Sequence, residues 1–338
     1  MKQTDGIISA APLDSSADES DEPGPESDIR ILQISAELHA GRLDKALAAS
    51  VPEFSRSYLQ QLLESGLVTV NGKVCVKTSQ KVKAGDTVSL ELKPTPQSQA
   101  FKPEPVPFAI AYEDTHLLVV NKPAGLVVHP APGNWSGTLL NGLLAHEPCF
   151  FNVPRAGIVH RLDKDTSGLM VVAKHREVMD ALVKAIAARE VSRQYLAIAH
   201  GPWSGPLHRT VDSAIGRDPR NRLRMAVVDL DSQAGKTART DFEWLAGTTD
   251  SCYVRCILHT GRTHQIRVHM ASIGHPLIAD TVYGGSPQFG MERQALHATR
   301  LAFAHPVTGE KLQFDCPVPP DMHEALARMD PALQSGKA

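Results

Sequence analysis

Apolar residues recur with helical spacing in two short stretches near the start of the chain. Residues 42–47 (Arg-Leu-Asp-Lys-Ala-Leu) and 57–63 (Ser-Tyr-Leu-Gln-Gln-Leu-Leu) place apolar side chains three and four positions apart, which is the spacing of one helix face. Gly66 follows the second stretch, and glycine commonly ends a helix. The pattern predicts two short helices.

A hairpin signal follows directly. Residues 68–70 and 73–76 flank the dipeptide Asn71-Gly72, which readily adopts the positive φ angles of a two-residue hairpin turn. We therefore expect residues 38–92 to form a small helix–helix–hairpin unit.

The longer second part of the chain contains short apolar runs typical of strands, at residues 117–120, 169–173 and 195–199. Residues 177–190 instead have the pattern of an amphipathic helix, in which four apolar side chains share a face: Val178, Leu182, Val183 and Ile186. Mixed strands with few helices favour an α+β domain.

A proline-rich stretch separates the two parts, with five prolines between residues 94 and 107. This composition favours an extended linker. The expected organisation is a tail (1–30), a small unit (31–93), the linker (94–107), a large domain (108–325) and a C-terminal tail (326–338).

The length of 338 residues is consistent with about two domains. No apolar run approaches the ~18 residues of a membrane span, and the first residues lack the features of a secretory signal. The five cysteines are dispersed and odd in number, which argues against a disulfide framework. These features predict a cytoplasmic protein with reduced thiols and no membrane partner.

The charge is unevenly distributed along the chain. The formal net charge is -2, which by itself argues against a polyanionic partner. Residues 1–30, however, hold eight acids and two bases, so the remaining residues carry a surplus of +4. The first 30 residues are also rich in Ser, Pro and Gly, which predicts a disordered acidic tail.

Motifs for nucleotide phosphates and metals fail or are weak. Gly235-Lys236-Thr237 lacks the first glycine of a phosphate-binding loop, because position 230 is leucine. His323-Glu324 lacks the second histidine of a metalloprotease motif, because position 327 is alanine. A further group has spacings compatible with zinc, but strand alternation favours its thiols as core filling; its members are Cys252, Cys256, His259 and His264.

Three polar stretches are harder to explain as structure alone. Residues 157–168 place several charges at a strand edge, among them Asp163; a solvated turn is the alternative. Residues 260–269 contain one Ile and one Val among several Arg and His residues. If these residues alternate as in a strand, the structural alternative is a solvated edge strand. Residues 217–224 contain four arginines and one acid, which suits either phosphate contacts or an exposed loop.

Together these stretches resemble the RluA family of pseudouridine synthases, over nearly all of residues 38–320. Residues 160–168 (His-Arg-Leu-Asp-Lys-Asp-Thr-Ser-Gly) are similar to the family's catalytic-aspartate motif, which implies Asp163 as the nucleophile. Residues 193–197 resemble the segment with the active-site tyrosine, here Tyr195, and residues 260–267 the motif whose last arginine, Arg267, pairs with the aspartate. The resemblance implies a mixed, mostly antiparallel catalytic sheet.

The first unit resembles the S4 RNA-binding domain, a small α/β fold, and its span 38–93 carries a surplus of +3. The RNA contacts implied here are Arg42, Lys45, Arg56 and Lys73. In the catalytic domain the residues expected to flip the base or hold RNA are Arg161, His160, Arg217, Arg220, Arg222, Arg224 and Arg262.

The resemblance implies isomerisation of uridine to pseudouridine after base flipping, with no metal and no other cofactor. Arg161 would fill the space that the flipped base leaves, and Tyr195 would stack on the base and help to remove its C5 proton. The expected partner is 23S rRNA, in the helix 69 loop, within the large subunit or its assembly intermediates. A monomer is expected. The alternatives are a related synthase for other rRNA or tRNA uridines and a non-catalytic RNA-binding or ribosome-assembly protein.

Overall fold

The computed structural model describes residues 28–51, 56–92, 100–131, 133–221 and 224–332. The chain divides into two units, Met1–Thr95 and Pro96–Ala338. Residues 1–27 of the acidic tail, the first part of the proline-rich linker, Arg222 and the last six residues lie outside the described residues.

The first unit is a four-stranded antiparallel sheet with two helices. Its elements are β1 (Asp28–Gln33), α1 (Leu43–Ser50), α2 (Arg56–Glu64), β2 (Val68–Val70), β3 (Lys73–Val74) and β4 (Thr87–Leu92), and the strand order in the described residues is β1-β4-β2-β3. Leu43, Leu47, Leu59 and Leu63 pack against Val68 and Leu90 of the sheet. The two predicted helices and the hairpin are confirmed, with Asn71 and Gly72 at φ 50° and 78°.

The second unit begins with β5 (Ala109–Glu113), β6 (Leu117–Lys122), α3 (Leu139–His146), β7 (Ser167–Ala173), α4 (Arg176–Ala187), β8 (Ser192–His200), β9 (His208–Asp212) and β10 (Ile215–Arg217). It continues with β11 (Met225–Val227), β12 (Gly235–Lys236), β13 (Arg239–Gly247), β14 (Ser251–Leu258), α5 (Gln265–Ser272), β15 (Leu296–Ala304), β16 (Lys311–Asp315) and α6 (Pro320–Met329). None of the described helices is both long and apolar enough to cross a membrane.

Nine of the described strands of this unit form one sheet, in the order β5-β6-β7-β15-β8-β14-β13-β9, with β16 paired to β15. The pairing is antiparallel except between β7 and β15, which run parallel. A small second sheet has the order β11-β10-β12. The predicted α+β class with a mixed, mostly antiparallel sheet is confirmed.

Both faces of the central strands are buried, which explains why their sequences are continuous apolar runs. On β6, Leu118 and Val120 enter one core cluster while Leu117 and Val119 enter another on the opposite face. The amphipathic helix α4 covers the second face with Val178 and Leu182.

Three expected boundaries differ from the structure. Strand β1 pairs with β4 from Asp28 onward, so residues 28–30 belong to the sheet of the first unit and not to the tail in which they were expected. The second half of the proline-rich stretch is attached to its unit, because Asn141 Nδ2 donates to the carbonyls of Ala100 (3.2 Å) and Lys102 (2.8 Å). Helix α6 runs past residue 325 and buries Leu326.

Candidate active site

The expected nucleophile Asp163 lies in the loop that leads into β7. Its side chain is 15% exposed, and its carbonyl accepts a hydrogen bond from Thr166 N at 3.1 Å. The polar stretch around it is therefore an ordered loop whose carboxylate is reachable from solvent on one side.

A buried lysine anchors this loop through a hydrogen bond to its backbone. Lys122, at the end of β6, is fully buried, and its Nζ donates to the carbonyls of Pro123 (2.7 Å), Leu126 (2.9 Å) and Lys164 (2.9 Å). Burial lowers the pKa of Lys122 to about 7, although Asp165 and Asp163 oppose the shift. Sequence reasoning missed this residue because a lysine at the end of a strand usually reaches solvent.

Arg267 pairs with Asp163, as the resemblance implied. Its Nη1 lies 3.1 Å from Asp163 Oδ2, while Nε and Nη2 bind both oxygens of Asp280 at 2.7 Å and 2.8 Å. Burial alone would lower the pKa of Arg267, but the two carboxylates outweigh it and raise this pKa. Asp280 was not expected, because nothing in its local sequence identifies a partner 13 residues away.

The stretch expected as an edge strand is a helix. Residues 265–270 of α5 are all buried. Because polar and apolar side chains here are buried alike, their alternation does not distinguish a solvent-facing side of a strand from a buried side, and it predicted the wrong secondary structure. At the first residue of the helix, Gln265 Oε1 accepts from Thr260 Oγ1 (2.7 Å) and from Arg262 N (3.0 Å) of the preceding loop. His264 then turns the chain at φ 57°.

Two further side chains surround the ion pair. The ring of His264 reaches Asp163 Oδ1 at 3.8 Å through Nε2, and its Nδ1 lies 2.8 Å from Tyr283 Oη. The guanidinium carbon of Arg267 lies 5.0 Å from the centre of the Tyr283 ring, a distance that permits a cation–π contact. Burial lowers the pKa of His264, so the ring favours its neutral form despite the nearby carboxylate.

Tyr195, the expected active-site tyrosine, lies on β8 and is 5% exposed. Burial raises its pKa to about 12, although Arg193 opposes the shift. The ring is therefore a neutral phenol at neutral pH.

Four of these residues line one pocket of about 650 Å³, a volume in the range of small-molecule sites. Asp163, Arg267, Tyr195 and His264 share it with Arg161, His160 and Arg262. Its lining also contains three further arginines, Arg155, Arg189 and Arg193. The ring of His129 lines it as a neutral group, because burial lowers the pKa of His129 to about 4.

His160 and Arg161 differ in character although they are neighbours. Arg161 is exposed, whereas the His160 ring accepts a hydrogen bond from Val171 N at 3.2 Å. Burial lowers the pKa of His160 to about 3, with help from Arg193. His160 therefore presents no charge to RNA phosphate at neutral pH, and its visible role is to hold the loop against β7.

The arginine-rich segment 217–224 connects β10 to β11, and its residues are absent from the described lining of the pocket. Asp218 organises this connection by accepting from Arg224 Nε (2.5 Å) and Arg220 N (2.8 Å). Arg217 and Arg220 are exposed. Their guanidinium groups can therefore contact a phosphate backbone outside the pocket.

In the first unit, two of the four expected RNA contacts also have a structural task. The buried Asp44 accepts from Arg42 at 3.0 Å and 3.1 Å and from Arg56 at 2.5 Å. The Arg42 guanidinium holds the pKa of Asp44 well below its usual range, against the opposing effect of burial. Lys45 and Lys73 are exposed.

The zinc-like spacing does not assemble a site. Cys252 and Cys256 are buried in the apolar core with Val254, as strand alternation predicted, and His259 binds Asp241 instead. In the described part of the chain, the His/Cys/Asp/Glu group with metal-ligand spacing is Glu113, His146 and Glu147. Lys174 Nζ already occupies it, at 2.7 Å from Glu113 and 2.8 Å from Glu147.

Comparison with known families identifies the family of this chain. A family model described as RNA pseudouridylate synthase matches residues 116–272, which include Asp163, Tyr195 and Arg267. A model of the S4 domain matches residues 41–88. The chain belongs to the RNA pseudouridylate synthase family and carries an S4 domain, which confirms both resemblances.

Several relatives are similar over most of their length and share one name, ribosomal large subunit pseudouridine synthase D. The protein of Neisseria meningitidis serogroup B is 47% identical over 92% of this chain and 85% of the relative. That of Nitrosomonas europaea is 46% identical (96% and 94%) and that of Escherichia coli K12 is 44% identical (85% and 90%). Among solved structures, human RNA pseudouridylate synthase domain containing 1 aligns with a TM-score of 0.51 at 26% identity, over 69% of this chain and 96% of that chain.

Proposed function

We propose that this protein isomerises specific uridines of 23S rRNA, in the large ribosomal subunit or its assembly intermediates, to pseudouridine. The observation that carries the proposal is the ion pair between Asp163 Oδ2 and Arg267 Nη1 at 3.1 Å in the pocket. The relatives named ribosomal large subunit pseudouridine synthase D support the choice of RNA.

The reaction breaks the N1–C1′ bond of uridine and forms a C5–C1′ bond, with no net change in composition. As in glycoside cleavage, a carboxylate meets the positive character that develops at C1′. Asp163 supplies this carboxylate, either by bonding to C1′ or by removing the C2′ proton. Arg267 orients it, because its other two nitrogen donors are fixed on Asp280.

A uridine within folded RNA has to leave its stack before it reaches Asp163, which costs a few kcal/mol. Tyr195 offers a neutral ring on which the extracted base stacks, although its raised pKa works against accepting the C5 proton. Arg161, exposed beside the pocket, would fill the space that the base leaves in the RNA.

The exposed cations on each unit hold the RNA backbone through sequence-independent phosphate contacts. In the second unit these are Arg217 and Arg220, joined by the half-buried Arg262, and in the first Lys45 and Lys73. We further propose that the protein acts as a monomer in the cytoplasm, on the helix 69 loop.

An Asp163→Asn variant tests the chemistry. We expect it to release no tritium from 23S rRNA labelled at uridine C5, while its affinity for the same RNA stays within about threefold of wild type. Release at the wild-type rate would refute the role of Asp163. A non-catalytic RNA-binding protein would release no tritium even as wild type.

Mapping of pseudouridines in the large-subunit rRNA of a strain that lacks the gene tests the target. Carbodiimide-blocked primer extension should lose its stops in the helix 69 loop and regain them with the wild-type gene but not with Asp163→Asn. Unchanged stops there would assign the enzyme to other uridines.

A further inference from the structure

Arg193 is a buried arginine without a counter-charge. It lies on β8, is 5% exposed, and lines the pocket with Tyr195, which is two residues along on the same face of the strand. Its Nε is buried without a hydrogen-bond partner. Within the described part of the chain, no hydrogen bond or ion pair reaches the other guanidinium nitrogens, although a guanidinium carries five N–H donors.

A buried charge is normally paired, because removing it from water costs several kcal/mol. The other buried arginine of the pocket, Arg267, follows this rule with two carboxylates. Arg193 departs from the rule in the same cavity. The missing partner is therefore expected to be a ligand that arrives with the substrate.

The chain provides space for this guanidinium. A Cβ atom on Gly261 would lie 2.7 Å from Arg193 Nη1, closer than real contacts allow, so Arg193 packs on a stretch of backbone that has no side chain. Its charge also acts on the neighbouring rings, opposing the rise in the pKa of Tyr195 and helping to lower that of His160. The guanidinium is thus placed beside the ring expected to stack on the base.

The exposure of each pocket arginine indicates whether its partner is the extracted base or the RNA backbone. Arg155, Arg161 and Arg189 line the same pocket but are exposed, so they are suited to phosphates that remain outside. Arg193, in contrast, is buried in the lining beside Tyr195, where an extracted base would lie.

We propose that Arg193 is a catalytic residue that binds the detached uracil and stabilises its negative charge, an inference that rests on the proposed function. When the N1–C1′ bond breaks, its electron pair leaves with the base, whose charge spreads over N1 and the carbonyl oxygens. This holds whether Asp163 bonds to C1′ or removes the C2′ proton. When C5 bonds to C1′, the pair returns to the sugar, C5 loses its proton and N1 gains one.

The first test compares Arg193→Gln with wild type in single-turnover conversion of a large-subunit rRNA transcript by excess enzyme. Loss of one donor to a developing anion typically costs about 100-fold or more in rate, and we expect a loss of that size. The RNA dissociation constant should stay within about threefold. Arg193→Lys, which keeps the charge, should recover part of the rate, and Arg176→Gln on the surface of α4 should match wild type.

A second substrate separates charge stabilisation from a structural effect. In a transcript made with 5-fluorouridine the electron-withdrawing fluorine stabilises the departing base, so cleavage depends less on Arg193. Nuclease digestion and chromatography measure the consumption of 5-fluorouridine. We expect the deficit of Arg193→Gln to be at least about tenfold smaller on this transcript than on the uridine transcript, whereas a merely structural role gives equal deficits.

The thermal stability of Arg193→Gln is an independent test of whether the Arg193 charge is unpaired in the free protein. Because Arg193→Gln removes an unpaired buried charge, its thermal unfolding midpoint should equal or exceed that of wild type. A clearly lower midpoint, a wild-type rate, or weaker RNA binding at an unchanged single-turnover rate would each overturn the inference. Conversion by wild type is measured first, so that a failure of the proposed function is recognised before any variant is compared.

Discussion

Asp280 binds Arg267 through both of its carboxylate oxygens, at 2.7 Å and 2.8 Å, and leaves Nη1 of the arginine for Asp163. Asp280 is 1% exposed and is absent from the lining of the pocket. It is a positioning residue, because it acts on the reaction only through Arg267.

We expect Asp280→Asn to lower kcat by about 10- to 100-fold, as loss of a supporting partner commonly does. KM for RNA should change by less than about threefold, since Asp280 does not reach the RNA. Single-turnover and steady-state kinetics measure the two effects separately. Asp315→Asn, which removes an exposed carboxylate bound to Arg300, is the matched control and should behave as wild type; a rise in KM alone for Asp280→Asn would contradict the assignment.

Gly157 lets the segment before the Asp163 loop approach β7. An added Cβ would lie 1.8 Å from the carbonyl oxygen of Ala173, and the glycine has φ +73°. We expect Gly157→Ala to lower the free energy of unfolding by more than about 3 kcal/mol, because backbone has to move.

Gly309→Ala separates the two causes of strain, since Gly309 has the same φ of +73° but nothing within 4 Å. It should cost only the ~1–2 kcal/mol of the left-handed conformation. Urea unfolding measures both variants. Equal losses would show that the close approach to β7 is unimportant.

His160 should make stability depend on pH. Its pKa in the folded protein is about 3, below the ~6.5 of an exposed histidine, so its contribution is complete above pH 6.5 and is lost as the pH falls towards 3. The slope is at most about 1.4 kcal/mol per pH unit. His160→Gln keeps an acceptor for Val171 N and should flatten this slope between pH 6.5 and 4.

Denaturant unfolding at a series of pH values measures the effect on the second unit. His323→Gln removes an exposed histidine of α6 and should keep the wild-type slope. An unchanged slope in His160→Gln would show that this ring does not remain neutral.

Substitutions of Arg42 and Lys45 should differ in their effect on protein stability, although both residues are expected RNA contacts. Arg42→Ala removes two hydrogen bonds to the buried Asp44, so it should lower the free energy of unfolding as well as RNA affinity. Lys45→Ala should weaken only RNA binding and reduce its salt dependence by about one phosphate contact.

Urea unfolding and RNA titrations at several salt concentrations, both with the full chain, separate the two effects. A stable Arg42→Ala would refute its structural task. A destabilised Lys45→Ala would show that this exposed lysine has a packing role that its position does not indicate.

Local patterns predicted the elements whose causes are local. Asn71-Gly72 predicted its hairpin because the turn needs positive φ at both positions. The apolar run 117–120 predicted a buried strand because both of its faces pack against other elements. The spacing in residues 177–190 predicted α4 because only one of its faces is buried.

The failures concern residues whose environment is set by distant parts of the chain. Residues 265–269 alternate in polarity, yet α5 buries Arg267 and His269 together with Ile266 and Val268. Lys122, Asp280 and Arg193 carry charges that sequence patterns assign to the surface. Lys122 and Asp280 are buried because the folded chain supplies their hydrogen-bond partners. Arg193 is buried at a place where, by our inference, the substrate supplies the partner.

The parallel pairing of β7 with β15 has a consequence for the order in which the site forms. Ser167 and His297, which are 130 positions apart, meet through a side-chain hydrogen bond of 2.9 Å, and such distant contacts form slowly because a long loop has to close first. A chain growing from the ribosome has already made Asp163, Tyr195 and Arg267 before β15 exists. The loop that carries Asp163 gains its second neighbouring strand only when synthesis is nearly complete, so the side chains of the site are present well before the site itself.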